Sequence, residues 1–297
     1  MDILWILAHP DDESFGGAGT LAWAHDAGLT TGLVCATRGE VGEISDPALG
    51  TPETLGAVRE LELRRAMDAV QLTTLRLLPY RDSGMAGTPP NEDPRSLVQA
   101  PLEEAIAHVV LQIRDLKPDT VVTFGPDGVY GHPDHIRIGE VATEAVLRAA
   151  QDDAPGLGEP WQVKALYHTA VPREVMISWR KRADGPFRSM SEEEVGRMGT
   201  PTAEITHWAD TIDYVDIARQ AVVQHRTQIQ DLNAFTADTP EVRARMRYQQ
   251  FKRISLPWDP DATFSDGIDR LVAEHPNTDR ASFTIPAPAE DVDEADA

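Results

Sequence analysis

One imidazole and three carboxylates follow directly on the first apolar run of the chain. Residues 3–8 carry no polar side chain, and His9-Pro10-Asp11-Asp12-Glu13 comes immediately after them. Clustered carboxylates beside a histidine repel one another unless a positive charge lies between them, and a divalent metal ion is the simplest such charge. A turn whose Asp caps a helix beginning near Ser14 explains the same residues. This cluster alone favours neither interpretation over the other.

A second cluster of the same kind follows another apolar run, residues 119–124. It reads Gly125-Pro126-Asp127-Gly128-Val129-Tyr130-Gly131-His132-Pro133-Asp134-His135. Pro133 fits an early helical position, and His132 and His135 lie one helical turn apart, so both can face one site. Two histidines and a carboxylate drawn from the two clusters make a three-ligand site with an open position, which is typical of catalytic rather than structural zinc.

The two apolar runs indicate which elements position these clusters. Both are short and do not alternate, which is typical of buried parallel strands. The polar residues then lie at the carboxyl ends of the strands, where open α/β sheets bind their ligands. The pattern predicts further strands at residues 31–36, 73–78 and 163–169, and helices at 14–27, 54–70, 97–116, 133–150, 214–230 and 240–254. We therefore predict a Rossmann-like, mainly parallel sheet with helices on both faces and a C-terminal α/β extension.

The domain organisation is predicted from composition. Residues 151–160 are rich in Asp, Gly and Pro and indicate a linker. We expect a catalytic core with the zinc site at 1–150, and at 151–285 an extension that completes the same domain and the substrate cleft. Residues 286–297 form an acidic tail that we expect to be disordered. A capping box, Ser191-x-x-Glu194, predicts a short helix within the extension.

The composition narrows the possible partners. The chain has 297 residues, 41% of them hydrophobic, and a formal net charge of −22, which argues against nucleic acid or an anionic membrane. No stretch has the length of a membrane span and no signal peptide is visible, so we expect a cytoplasmic protein. The single cysteine, Cys35, cannot form an internal disulfide and is interpreted as a small core residue. His168, His207 and His225 are interpreted as packed or surface side chains rather than ligands.

A glycine pattern after the first cluster offers a competing function. Gly17, Gly19 and Ala22 satisfy the loose G-x-G-x-x-G/A pattern of a dinucleotide site. A pyrophosphate there would lie beside the carboxylates of residues 11–13, which disfavours a nucleotide-dependent oxidoreductase. We expect instead that the glycines allow close packing where the helix begins. A non-catalytic metal-binding module is a further alternative.

The motifs together resemble a known family. His9-Pro10-Asp11-Asp12-Glu13 with His132-Pro133-Asp134-His135 is similar to the zinc-dependent N-acetylglucosaminide deacetylases typified by PIG-L and LmbE. Among these the likeness is greatest to enzymes of low-molecular-weight thiol metabolism, namely the mycothiol- and bacillithiol-pathway deacetylases and the mycothiol conjugate amidase. The resemblance implies a hydrolase that removes acetyl from an N-acetylglucosamine conjugate of the malate or inositol type. An amidase acting on thiol S-conjugates is the alternative.

The resemblance also implies roles for individual residues. It makes His9, Asp12 and His135 the ligands of one Zn²⁺ per chain and leaves Asp11 free as a general base. It implies that a protonated His132 stabilises the oxyanion, with Asp134 holding its ring and raising its pKa. Tyr130 matches a mobile tyrosine that donates a hydrogen bond to the same oxygen.

Substrate contacts follow from two further motifs. Arg59 of Arg59-x-x-Glu62-Leu63 resembles an arginine that reaches the sugar, although the sequence alone equally allows a surface ion pair with Glu62. Asp82 of Arg81-Asp82-Ser83-Gly84-Met85 resembles an aspartate that binds sugar hydroxyls, and Met85 is expected near the conjugated group. Glu13 is assigned either to support the site or to contact the sugar. The expected partner is a small amino-sugar conjugate, with a homo-oligomer possible.

Overall fold

Seven strands form one mixed sheet across the residues that the computed structural model describes, which are 1–152, 156–181, 187, 190–229 and 237–275. The strands are β1 (Ile3–Leu7), β2 (Thr31–Cys35), β3 (Thr74–Leu77), β4 (Thr120–Phe124), β5 (Ala165–Ala170), β6 (His207–Asp210) and β7 (Tyr248–Ile254). Their order across the sheet is β3-β2-β1-β4-β5-β7-β6. Strands β1 to β5 run parallel, and β7 is antiparallel to both of its neighbours. The predicted mainly parallel sheet is confirmed.

The centre of the sheet is the apolar run that opens the chain. Every residue of β1 and of β4 is buried, because both faces of these strands are covered. Ile3 pairs with Thr31 of β2 on one side and with Thr120 of β4 on the other. The chain thus leaves β1 to build the sheet in one direction and returns at β4 to build it in the other. The carboxyl ends of β1 and β4 therefore border the crevice at which such sheets bind ligands.

Helices cover both faces of the sheet, as the sequence predicts. They are α1 (Asp12–Asp26), α2 (Leu55–Ala69), α3 (Leu102–Leu116), α4 (Pro133–Ala149), α5 (Arg173–Lys181), α6 (Glu192–Val195), α7 (Val215–Val222), α8 (Pro240–Arg247) and α9 (Ile268–Glu274). Helix α1 packs against α7 and α9, whereas α3 packs against α4. No helix in the described ranges combines the length and the apolar character that crossing a membrane requires.

The glycines of α1 serve close packing. A Cβ on Gly17 would lie 2.7 Å from the ring of Trp5 in β1, and one on Gly19 would lie 2.5 Å from the Thr211 hydroxyl. Only glycine lets the helix backbone approach these side chains so closely. These contacts account for the glycine pattern without a nucleotide.

Several element boundaries differ from prediction. The helix predicted at 240–254 ends at Arg247 and continues as β7, because Gln249 and Phe251 both turn one face of an extended chain into the core. The helix predicted from residue 97 begins at Leu102 because Pro101 interrupts it. The helix predicted at 214–230 ends at Val222, and β6, α5 and α9 were not predicted. The capping box at Ser191 is confirmed.

The sheet contains strands from both sides of the domain boundary predicted at residue 150. Strands β5, β7 and β6, from the predicted extension, continue the sheet that β1 to β4 begin. The division at residue 150 stays a prediction, and the acidic tail lies outside the described residues.

Candidate active site

The end of β1 delivers the first group of functional side chains. His9 follows the strand directly, and α1 begins at Asp12. The backbone N–H of His9 donates to Asp12 Oδ2 at 2.8 Å, which fixes that carboxylate beside the imidazole. Asp11, between them, has a φ of 116°, a left-handed conformation that residues with a Cβ rarely adopt.

The end of β4 delivers the second group. A turn at Gly128–Gly131 leads into α4, whose N-cap is His132. The ring of His135 stacks on Phe124 with centroids 4.0 Å apart, and its Nδ1–H donates to the carbonyl of Gly128 at 3.2 Å. This bond leaves the lone pair of Nε2 facing the crevice, as in a metal-bound histidine.

Potential ligand atoms of three side chains meet between the two strand ends, with both oxygens of Asp12 among them. His135 Nε2 lies 3.2 Å from His9 Nδ1 and 3.2 Å from Asp12 Oδ1, and His9 Nδ1 lies 3.7 Å from Asp12 Oδ2. Ligand atoms about 2.1 Å from a tetrahedral zinc ion are about 3.4 Å apart, so these spacings fit one ion. His9 Nε2 lies 3.1 Å from Asp134 Oδ2. Burial opposes protonation of His9, but its bonds to Asp134 and Asp82 raise its pKa well above the ordinary value, so a metal ion at this place would take the position of the proton on Nδ1.

Other combinations of side chains in this region also have spacings suited to an ion. His9, His132 and His135 form one such group, and His9, Asp82 and Asp134 form another. His9 is common to both groups. The predicted set of His9, Asp12 and His135 is compatible with the geometry and stays a prediction.

Asp134 occupies a different place from the one predicted. Its buried carboxylate accepts from His9 Nε2, from the backbone N–H of Ser83 at 2.9 Å and from the Ser83 hydroxyl. The expectation that this carboxylate holds the ring of His132 is therefore wrong. It contacts His9 instead, and His132 serves as the N-cap of α4. His132 is held by the backbone N–H of Asp134, which donates to its Nδ1 at 3.2 Å.

His132 is a neutral side chain in this arrangement. Burial, followed by the neighbouring His9 and His135, lowers its pKa to about 4, although Asp134 and Asp82 act in the opposite direction. Asp134 raises this pKa, as predicted, but the net shift is downwards, which contradicts the predicted protonated ring. Because Nδ1 accepts a hydrogen bond, the neutral ring carries its proton on Nε2, where it can still be donated to an oxyanion.

Asp11 is paired with an arginine. Its Oδ2 lies 3.1 Å from Nη2 of Arg59, and burial raises its pKa to about 6 against the opposing charge of that arginine. Arg59 is itself buried and also donates to the carbonyls of Gly39 at 2.9 Å and Pro10 at 2.6 Å. A surface ion pair with Glu62 is excluded, since Glu62 is buried on Thr227. The structure places Arg59 beside Asp11, and its contact with the sugar stays a prediction.

The remaining predicted residues fall in three places. Tyr130 stands in the turn before α4 with its ring centroid 5.2 Å from that of His135, and burial raises its pKa further above the ordinary value. Asp82 is buried beside His9 Nε2, 3.5 Å away, whereas Met85 is exposed at the rim. Glu13 is fully buried beneath the site. The sugar-contact alternative for Glu13 is therefore wrong.

Three residues near the site were not predicted to take part in it. Ser83 bonds Asp134, and its place beside Asp82 in the same motif was an available signal. His225 is packed, as predicted, but its partner is Glu13, and Thr227 binds Glu62. Nothing local marks His225 or Thr227, because their partners lie 212 and 165 positions away in the chain.

A sheet of this topology, with two imidazoles and a carboxylate converging at its central crevice and a spare carboxylate beside them, defines a metal-dependent hydrolase. The profile of the PIG-L family, described as GlcNAc-PI de-N-acetylase, matches residues 4–146. A 1D-myo-inositol 2-acetamido-2-deoxy-alpha-D-glucopyranoside deacetylase from Thermobispora bispora is 38% identical over 239 residues, or 76% of this chain and 79% of the relative. Its namesake from Kineococcus radiotolerans is 37% identical over 78% of this chain and 70% of the relative.

A solved structure shows the same fold. The N,N'-diacetylchitobiose deacetylase from Pyrococcus horikoshii superposes with a TM-score of 0.58 at 20% identity, covering 85% of this chain and 83% of that one. The chain belongs to the PIG-L family, and it is an amide hydrolase, as the sequence predicts.

Proposed function

We propose that the protein is a zinc-dependent deacetylase that removes the acetyl group from N-acetylglucosamine linked to an inositol. The convergence of His9, Asp12 and His135, with Asp11 left beside them, carries this proposal. The relatives named as 1D-myo-inositol 2-acetamido-2-deoxy-alpha-D-glucopyranoside deacetylases support the inositol conjugate over the malate conjugate. The partner is then a small amino-sugar conjugate, and we place the reaction in the cytoplasm.

The chain's own residues divide the reaction between them. His9, Asp12 and His135 would hold a zinc ion, which when bound would supply Lewis-acid activation of water and of the acetamide carbonyl. Asp11 takes the proton of the attacking water and returns it to the leaving amine. Arg59 keeps the Asp11 carboxylate oriented while the base carries its charge.

Two donors face the oxyanion in this proposal. His132 donates from Nε2, and its Nδ1 bond to the backbone of Asp134 fixes that tautomer. The Tyr130 hydroxyl, which burial keeps protonated, is the second donor. Asp82 and Met85 border the space into which the sugar and the group linked to it extend.

Acetate release from three N-acetylglucosaminides tests the proposal. The substrates are the inositol, malate and chitobiose conjugates, each assayed with the purified protein, with a chelator, and after adding back Zn²⁺. We expect chelator-sensitive release that is fastest from the inositol conjugate and returns with zinc. Faster release from the malate conjugate overturns the inositol assignment. Cleavage of a thiol S-conjugate without any acetate release makes the protein a conjugate amidase.

A further inference from the structure

A turn from the C-terminal half of the chain reaches beneath the site. It comprises His225 and the 3-10 helix Arg226–Gln228, which follow α7. We refer to residues 225–228 as the 225 turn. The 225 turn lies beyond the residues that the family profile matches.

The 225 turn is bonded to three elements that surround the site. Thr227 donates to both carboxylate oxygens of Glu62 in α2, at 2.9 Å from its backbone N–H and 2.7 Å from its hydroxyl. Its carbonyl accepts from the backbone N–H of Ser45, and Gln228 donates to the carbonyl of Glu43, both at 2.9 Å. His225 contacts the first turn of α1. The 225 turn therefore joins α1, α2 and the loop after β2.

The contact with α1 leads directly to Asp11. His225 Nε2 lies 2.8 Å from Glu13 Oε1, and the other carboxylate oxygen, Oε2, accepts the backbone N–H of Asp11 at 3.0 Å. The hydroxyl of Ser14 also donates to Glu13 Oε1 at 2.6 Å. Glu13 and His225 are both fully buried, so water does not substitute for either bond.

The bonds from His225 through Glu13 to Asp11 stabilise an unusual backbone conformation of Asp11. A φ of 116° is strained for a residue with a Cβ and persists only where the surroundings impose it. The bond from its N–H to Glu13 holds Asp11 in this conformation, and Arg59 holds its carboxylate from the other side. The position of Glu13 depends in turn on His225.

We propose that His225 is a positioning residue for Asp11, acting through Glu13 to hold the backbone conformation that presents the Asp11 carboxylate to the reacting water. This inference rests on the proposed function, in which Asp11 is the base. A displacement of that carboxylate by about 1 Å can cost about 10²-fold in rate, so we expect an effect on turnover rather than on binding.

Two substitutions of similar chemistry test the proposal. Gln in His225→Gln places an amide nitrogen near the position of Nε2 and can donate to Glu13, whereas the shorter Asn in His225→Asn reaches only the position of Nδ1. We expect kcat of His225→Gln to stay within about threefold of the wild-type value, and that of His225→Asn to fall about 10- to 100-fold. KM and zinc content should change less than about twofold in both.

The control is a histidine in a similar pair outside this chain of bonds. His207 Nε2 lies 2.6 Å from Asp269 Oδ1, so His207→Asn breaks an imidazole–carboxylate pair with no link to Asp11. It should lower the melting temperature and leave kcat unchanged. If His225→Asn does not fold, His225→Phe, which keeps a ring and lacks the donor, replaces it.

The Asp11→Asn background separates this inference from the proposed function. Full activity of Asp11→Asn alone contradicts Asp11 as the base and leaves His225 nothing to position. If Asp11→Asn is impaired, adding His225→Asn should lower kcat by less than about twofold more, because both changes disable the same group. A further tenfold loss in the double variant, or equal losses in His225→Gln and His225→Asn, overturns the positioning role.

Discussion

At the scale of single residues, two neighbouring carboxylates of the site have different partners. Asp12 is bonded to the backbone of His9 and lies beside His135, whereas Asp11 faces Arg59. These adjacent residues have different partners, and the backbone between the two groups is left-handed at Asp11. The sequence predicts this division only through the family resemblance. Nothing in three consecutive acidic residues shows which one binds metal and which one acts as a base.

Replacing Asp11 with asparagine tests the division. Asp11→Asn keeps the side-chain shape but removes the base, so kcat should fall by about 10²- to 10⁴-fold. The zinc content, measured by mass spectrometry of the desalted protein, should stay at that of the wild type. Asp12→Asn is the comparison, because replacing a proposed ligand should lower the zinc content itself. Loss of zinc in Asp11→Asn would instead make Asp11 a ligand.

His132 leads to a prediction that depends on its tautomer. With a pKa of about 4, the His132 ring is already neutral at pH 7. The neutral ring keeps its proton on Nε2 between pH 7 and 9. His132→Ala should therefore lower kcat by about 10²- to 10³-fold by a constant factor across this range. The ratio of wild-type to variant kcat, measured at each pH, checks this. A ratio that falls towards alkaline pH would show that the active form is the imidazolium.

At the scale of elements, α4 positions His135 through close contact with β4. A Cβ on Gly139 would lie 2.6 Å from the carbonyl oxygen of Phe124, so Gly139→Ala must push the helix away from the strand. His135 lies one turn earlier in α4, so the displacement reaches the metal site. We expect a loss of about 1–3 kcal/mol in the free energy of unfolding and weaker zinc binding, measured by urea titration and by competition with a chelator.

Gly16→Ala is the matched control for this helix substitution. Gly16 lies in α1, and a Cβ there would meet nothing within 4 Å. Alanine should stabilise the protein by about 0.5–1 kcal/mol through its helix propensity, without changing zinc affinity. A stabilising Gly139→Ala would contradict the close contact between α4 and β4.

The same scale shows which elements could be predicted from the sequence. Strands β1 and β4 and the helices after them carry local signals, namely unbroken apolar runs that end in polar turns. Strand β7 does not, since Phe251 and Ile254 in Tyr248–Ile254 are spaced as on a helix face. Its extended form is decided by pairing with β5 and β6. The 225 turn was missed for the same reason, because its partners are distant in sequence.

At the scale of the whole molecule, residues after 150 pair with and bond to the elements that precede them. Strand β5 pairs with β4 along the full length of β4, and β7 and β6 extend the sheet from there. The sequence motifs lie almost entirely before residue 150, whereas His225 and Thr227 bind side chains of α1 and α2 from beyond it. Strand pairing and these side-chain bonds therefore couple the two halves in the folded structure.

Because of His168 in β5, the stability of the packing between the two halves depends on pH. Its Nε2 lies 3.0 Å from the Thr143 hydroxyl of α4, and burial, assisted by the charge of Lys252 on β7, lowers its pKa to about 4. The unfolded chain takes up this proton near pH 6.5, whereas the folded protein resists it until about pH 4. Stability contributed by the neutral ring is thus complete above pH 6.5 and is lost as the pH falls towards 4.

Urea unfolding at pH 7.5 and pH 5.0, with a chelator present to remove the contribution of bound metal, measures this loss. Between these values the wild type should lose about 2 kcal/mol more of its free energy of unfolding than His168→Gln, which has no titrating ring. Glutamine keeps an acceptor for Thr143, and taking the difference between the two proteins cancels every other titrating group. Equal losses in both would mean that the His168 ring accepts a proton as readily in the folded sheet as in water. The strands on either side of it would then be open to solvent, contrary to the buried packing that joins the two halves.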